Sequence, residues 1–189
     1  WIENDAFNAS KMRSTQVDNT SAGYAFAVNF IAEIYTSYGN YWGTTAEMDQ
    51  GFREWWDARS HDDGAKIYGP GWEKCTEIAP TPPPANRPRP QSRGECQNVA
   101  ADYSTALAYM GMYYKDSDMI NEALFVAAAV ARTSSEEGAP YDAFTGNLAI
   151  GYMTMTSDRL DETALVLKEL GINLYDSSFA KHGATVRDI

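Results

Sequence analysis

Basic residues are scarce in this 189-residue chain: 15 Lys and Arg stand against 26 Asp and Glu, a formal net charge of -11. Binding nucleic acid through its phosphates requires positive charge to displace counterions, so this balance excludes a general nucleic-acid binder. Long apolar runs are missing as well. None approaches the roughly 20 residues needed to cross a bilayer, and no membrane span is expected. Few segments alternate polar and apolar residues with period two, which leaves a β-sheet little support. No glycine-rich phosphate cradle follows a strand and no G-x-S-x-G turn occurs, so neither nucleotide binding nor a serine nucleophile has a motif behind it. No cofactor is expected.

Cysteine and histidine are equally sparse, with 2 of each. A structural zinc site takes four ligands, which makes it a poor fit to two Cys and two His. Cys75 and Cys96 are better read as a disulfide, with two unrelated buried thiols as the alternative. They bracket Pro80, Pro82, Pro83, Pro84, Pro88 and Pro90, most of the 8 prolines in the chain. Proline keeps this stretch out of helix and sheet. A bridge closing a loop of about 20 residues, contributing roughly 3 kcal/mol in the chain-entropy picture, would tie it down. A bridge implies an oxidising compartment, and a chain opening on Trp1 fits a processed one, so a secreted or periplasmic location is expected. Asn8-Ala9-Ser10 and Asn19-Thr20-Ser21 match the N-glycosylation pattern, which matters only in a eukaryotic secretory protein. Arg87, Arg89 and Arg93 give the proline stretch the only clearly basic character in the chain. A stiff, extended segment of this kind is also a low-entropy ligand for an aromatic-lined groove.

What is abundant is apolar material at helical spacing. Hydrophobic residues make up 44% of the chain, enough for one domain burying roughly 70% of its unfolded surface. The expectation is a single all-α domain over residues 1–189. Within it, 1–20 form a polar arm, 75–96 the disulfide-closed proline-rich loop and 173–189 a tail whose structure the pattern leaves open. From Ser21 to Tyr38, the residues Tyr24, Val28, Ile31, Tyr35 and Tyr38 recur on one helix face, with Phe26, Phe30 and Ile34 beside them. The polar stripe is narrow: Asn29, Glu33, Thr36 and Asn40. It reads as the solvent side, the alternative being a Glu33 buried with a partner. Gly39 to Gly43 reads as an aromatic turn. Thr44 and Glu47 then form a capping box for a helix reaching about Ser60, with Met48, Phe52, Trp55 and Trp56 inward; Asp62 to Trp72 reads as a loop.

After Cys96 the residues Val99, Tyr103, Ala106, Leu107, Met110 and Tyr114 share a face. Ser117 or Asp118 caps a following helix with Ile120, Ala123, Leu124, Ala127 and Ala131 inward. A further helix buries Phe144, Leu148, Gly151 and Met155. Ser157 or Asp158 caps the last, with Leu160, Ala164, Leu167 and Leu170 inward, and Gly171-Ile172 closes it as a glycine C-cap. The sum is three stacked helical hairpins, at about 21–60, 97–132 and 141–171, forming a bundle or short solenoid.

Two of these stretches echo one another. Ala106 to Leu124, ALAYMGMYYKDSDMINEAL, is matched by Leu148 to Leu165, LAIGYMTMTSDRLDETAL. Tyr109, Met110 and Met112 correspond to Tyr152, Met153 and Met155; Glu122 and Leu124 correspond to Glu162 and Leu165. Gly111 with Ala123, and Gly151 with Ala164, sit near the spacing at which tetratricopeptide-type repeats place small residues where paired helices touch. The chain resembles that family over about 75 residues. It departs from it in the number of residues between repeats and in the missing proline at repeat ends. The resemblance implies a protein-binding scaffold.

Several residues suggest chemistry. Glu33 followed by Tyr35, Tyr38, Tyr41 and Trp42 fits a carbohydrate-active hydrolase acting on glycan or peptidoglycan. An apolar pocket would make Glu33 a general acid, aromatics would stack on sugar rings, and Glu47 or Glu54 would be the second carboxylate. Glu54, Asp57 and His61 share a helix face at a spacing that can ligate a divalent metal, although an Asp57–His61 helix pair explains the same spacing. His61, Asp62 and Asp63 could supply a general base, but no nucleophile motif accompanies them. Asp116, Ser117 and Asp118 look like the start of a calcium loop that lacks its glycine and terminal Glu. The reading that absorbs most of the sequence is a protein-binding or assembly component, engaging a protein partner or a second copy. Tyr and Trp are the types that most often anchor interfaces, and 5 Trp, 12 Tyr and 7 Phe exceed what the core readily takes. Tyr38, Tyr41, Trp42, Tyr68 and Trp72, with Arg87 and Arg89, form the candidate surface.

Overall fold

The computed structural model describes residues 22–67, 98–132, 149–176 and 186–188. Among them there are α-helices and no strand: α1 Ala22–Trp42, α2 Ala46–Ile67, α3 Asn98–Tyr114, α4 Ser117–Arg132 and α5 Ala149–Glu169, with a 3-10 turn at Val186–Asp188. The all-helical expectation holds. The arm 1–20, Tyr68, Trp72, Cys75, Arg87, Arg89 and Cys96 lie outside the described residues, as does the proline-rich stretch.

The helices are arranged around α3, which packs against α1, α4 and α5. Every residue from Asn98 to Ala108 is buried. A helix can be enclosed on all sides only if it carries almost no charge, and Asp102 is the single charged residue in NVAADYSTALAYMGMYY. Ala100, Ala101, Ser104, Thr105 and Ala108 are small enough to let neighbouring backbones approach. Alongside it, α1 turns Val28, Ala32 and Tyr35 inward. From α2, Phe52 stacks on Tyr35 with ring centroids 3.8 Å apart, and Trp56 stacks on Tyr103 at 5.9 Å. Ala123, Ala127 and Ala131 of α4 are buried as the spacing predicts, and so are Leu160, Ala164 and Leu167 of α5; Leu170 instead reaches the surface.

The helix ends differ from expectation in instructive ways. Gly171 does close α5: it adopts φ 80°, and its N–H and that of Ile172 reach the carbonyls of Lys168 and Leu167 at 2.9 and 3.0 Å. Between α3 and α4 the same motif is built on Lys115 at φ 54°, with the Asp116 N–H on Gly111 O at 2.9 Å. The cap of α4 is Asp116, whose Oδ1 accepts from the N–H groups of Asp118 and Met119 at 3.0 and 3.3 Å, so the cap sits just before Ser117 and Asp118. Likewise Thr45, not Thr44, caps α2, accepting the Met48 N–H at 3.2 Å. Thr44 Oγ1 turns back to Gly39 O at 3.3 Å. The expected aromatic turn is helical through Trp42, and α2 runs past Ser60 to Ile67.

The third hairpin is overturned. α5 is one continuous helix through Ser157 and Asp158. Ser157 Oγ donates to Met153 O at 3.0 Å, as Thr154 Oγ1 does to Ile150 O at 2.9 Å. A hydroxyl that bonds the carbonyl one turn back is satisfied inside a helix and need not begin one. The internal echo fails with it. At Gly111 an added Cβ would lie 2.7 Å from Ile120 Cγ1, whereas at Gly151 nothing lies within 4 Å. Gly151 and Met155 are exposed rather than buried. The described helices make a bundle about one enclosed helix, not a row of hairpins each touching only its neighbours.

Candidate functional site

The polar stripe of α1 faces inward, opposite to expectation. Asn29, Glu33 and Thr36 are buried, with Glu33 8% exposed, while Phe30, Tyr38 and Tyr41 are 54%, 52% and 85% exposed. Thr36 satisfies itself on Ala32 O at 2.8 Å. Asn29 and Glu33 are accommodated because α3 and α5 bring polar partners to them; a buried charge is tolerable only when paired.

Those partners converge on Arg159 of α5. Its Nη1 lies 3.0 Å from Glu33 Oε2 and 2.8 Å from Glu162 Oε2, and its Nε lies 3.0 Å from Asp102 Oδ1. Asn29 Nδ2 donates to Asp102 Oδ2 at 2.8 Å, and Tyr109 OH donates to Glu162 Oε1 at 3.0 Å. One guanidinium thus faces three carboxylates drawn from three helices. The Nε separation from Asp102 is that of an ion pair, but the N–H misses the oxygen. Asp102 Oδ1, and separately Glu33 Oε1, have no aligned hydrogen bond among the described residues. Beside the cluster, Thr105 Oγ1 donates to Arg159 O at 3.0 Å and meets Thr163 Oγ1 at 3.0 Å, and Ser104 Oγ meets Thr163 Oγ1 at 3.1 Å.

Burial sets the titration of this cluster. It pushes the Glu33 carboxyl up to about 7, against the attraction of Arg159 and with the help of Asp102 and Glu162. Burial likewise pushes Asp102 up to about 6, opposed by the Asn29 hydrogen bond and Arg159. The Tyr109 hydroxyl is pushed up to about 12 by burial and then by Glu162. A second polar knot ties α1, α2 and α3. Tyr35 OH and Tyr113 OH both donate to Asp49 Oδ1, at 2.7 and 3.0 Å, and Tyr114 OH donates to Asp49 O at 2.9 Å. Burial and the Asp49 carboxylate raise the Tyr35 hydroxyl above its ordinary range, so it stays a donor.

Set against these clusters, the sequence-predicted site residues divide. Tyr38 and Tyr41 are exposed, on a helix rather than a loop. Trp42 ends α1, and Asp57 and His61 lie along α2; the side chains of these three fall outside the described set. Glu47 and Glu54 are exposed on α2, and Glu54 accepts from Gln50 Nε2 at 2.9 Å. The carboxylates that share a cation with Glu33 are instead Asp102 and Glu162. In the sequence Asn29 reads only as part of a solvent stripe, and no local pattern singles out Arg159. The signal for Asp102 was available: one charge in a helix otherwise apolar on every face. Among the described residues, no group of three His, Cys, Asp or Glu is arranged to hold a metal ion, and no helix is long and apolar enough to cross a membrane. Compared with protein-family models, curated proteins and solved structures, the chain has no significant match in any of the three.

Proposed function

We propose that this chain is a helical protein-binding or assembly component and that its partner docks on the outward face of α1. The observation that carries the reading is the polarity of that helix. Its only charged residue, Glu33, is turned inward, while Phe30, Tyr38 and Tyr41 face out. Phe30, Ile34, Tyr38 and Tyr41 follow one another at intervals of four, four and three residues, so they form a single stripe. Aromatic residues on a charge-free stripe are the usual anchors of an interface. The chain around it carries a net charge of -11, which favours a partner surface that is apolar at its centre and basic at its rim. The secreted or periplasmic placement rests on the Cys75 and Cys96 pairing expected from sequence.

Site-specific photocrosslinking in the native source tests this. A crosslinker at Tyr38 or Tyr41 is expected to trap one protein at fixed stoichiometry, and Phe30→Glu is expected to abolish the adduct. A crosslinker at Lys168, exposed on α5, should not trap it. Equal trapping from all three positions, or none from α1, would defeat the proposal.

A second reading, a hydrolase of glycan or peptidoglycan with Glu33 as general acid, draws support from the carboxyl pushed up to about 7. The burial of Glu33 and the engagement of its Oε2 by Arg159 weigh against it. Loss of glycan cleavage in Glu33→Gln with the fold retained would favour this reading over the first.

A further inference from the structure

α1 is fastened to the rest of the bundle differently from the other helices that touch α3. α3 and α5 are joined outside the Arg159 cluster by Thr105, Ser104 and Thr163. α3 and α4 are joined by a short turn and the close approach at Gly111. For α1, two buried polar bonds among the described residues reach α3 and α5, and both end in the cluster: Asn29 on Asp102 and Glu33 on Arg159. A further polar tie, Tyr35 to Asp49, runs to α2. The electrostatic state of the cluster is therefore transmitted to α1 first.

That state is not neutral as the side chains stand. Around Glu33 the charged and titratable groups among the described residues are Asp102 and Tyr109 from α3, and Arg159 and Glu162 from α5. Among the described side chains of α2, Asp49 is turned to Tyr35 and Tyr113. With all three carboxylates ionised, one guanidinium leaves a local charge of about -2, and although Glu162 reaches solvent, Glu33 and Asp102 are buried, where an unpaired charge is costly. Two carboxylate oxygens there, Glu33 Oε1 and Asp102 Oδ1, have no aligned hydrogen-bond donor among the described residues. A bound proton is the smallest group that reduces the charge and supplies a donor at once.

We infer that the Glu33–Asp102–Glu162 cluster around Arg159 is a proton-dependent latch, closed on α1 while it holds a carboxylic proton and loosened when that proton leaves. The inference does not depend on what, if anything, binds the outer face of α1. Its sign follows from linkage. The folded Glu33 and Asp102 carboxyls sit above their ordinary values, at about 7 and about 6. The folded chain therefore binds more protons than the unfolded one, and the contribution is complete below the ordinary carboxylate range. It is lost progressively as pH rises from the ordinary carboxylate values to about 7 and is flat beyond.

Hydrogen exchange of the intact chain, corrected for the intrinsic pH dependence of amide exchange, provides the test. Amides of α1 from Val28 to Thr36 are expected to lose roughly tenfold in protection between pH 5.5 and 8, while those of α4 change less than about twofold. Glu33→Gln, which keeps the shape but cannot ionise, should remove most of the α1 effect and leave only the smaller part that Asp102 contributes. The proposal is overturned if α1 and α4 lose protection together, or if Glu33→Gln shows the same pH response. Should that variant not fold, carbon-13 NMR titration of side-chain carboxyls in the unsubstituted chain decides. One Glu carboxyl titrating near neutrality supports the latch; none titrating above about 5.5 ends it.

Discussion

Lys115 is the non-glycine residue with positive φ among those described, at 54°, and it holds that conformation to end α3 and start α4. A left-handed backbone costs an L-residue with a Cβ roughly 1 kcal/mol or more. The turn is maintained because the Asp116 N–H reaches Gly111 O and the Asp116 carboxylate caps the next helix. Partial burial pushes Asp116 up, but the N–H groups of Met119 and Asp118 and the Arg53 guanidinium together hold the carboxyl below its usual range. Lys115→Gly removes the steric penalty at the cost of greater freedom in the unfolded chain, so a net gain of about 0.5 kcal/mol is expected. Urea unfolding should show a higher midpoint with an unchanged slope. A lower midpoint would mean that the Lys115 side chain contributes more at the helix end than its backbone costs.

Between helices, the decisive comparison is Gly111 against Gly151, which the sequence presents as equivalents. A Cβ on Gly111 would lie 2.7 Å from Ile120 Cγ1 and 3.0 Å from Ile120 N, so backbone as well as side chain would have to move. Gly111→Ala is expected to cost about 1–2 kcal/mol even after the better helix propensity of alanine is counted. Gly151→Ala meets open space in an exposed helix and should stabilise by about 0.5–1 kcal/mol. Equal effects at the two sites in thermal unfolding would restore the repeat that the continuous α5 contradicts. The inward faces of α4 and α5 were legible because Ala123, Ala127, Leu160 and Leu167 recur at helical spacing between polar residues. The orientation of α1 is not legible in the same way, because the helix is rich in apolar residues on nearly all sides. Periodicity then finds a polar stripe at Asn29 and Glu33 without saying which way it points. That answer lay in Asp102 and Arg159, 73 and 126 residues away from the groups they hold, beyond the reach of any local pattern. Ser157 does not start a helix for a simpler reason: a residue that caps well is also tolerated within a helix when a carbonyl one turn back accepts its hydroxyl, and Asp158 beside it is exposed on the same continuous helix.

Across the molecule, Arg159 is the point where α1, α3 and α5 meet, and its removal is the most demanding test of how the bundle is held. Arg159→Met keeps most of the stem volume and deletes the cation. Glu33 and Asp102 are then left buried without a counter-charge, a change that costs about 3 kcal/mol or more when the remaining charges are ionised. Arg159 is one of the groups holding both carboxyls down, so its loss lets them rise further, and the variant should take up protons to relieve the strain. Its deficit relative to the unsubstituted chain is therefore expected to be largest near pH 8 and to shrink by about half or more near pH 5, read from urea midpoints followed by tryptophan fluorescence. The same deficit at both pH values would assign the role of Arg159 to packing of its stem. A double variant separates the two accounts again. If charge is the cause, Arg159→Met with Glu33→Gln loses less than the sum of the single losses, because the carboxylate left without its cation is no longer there to be penalised. If packing is the cause, the two losses add.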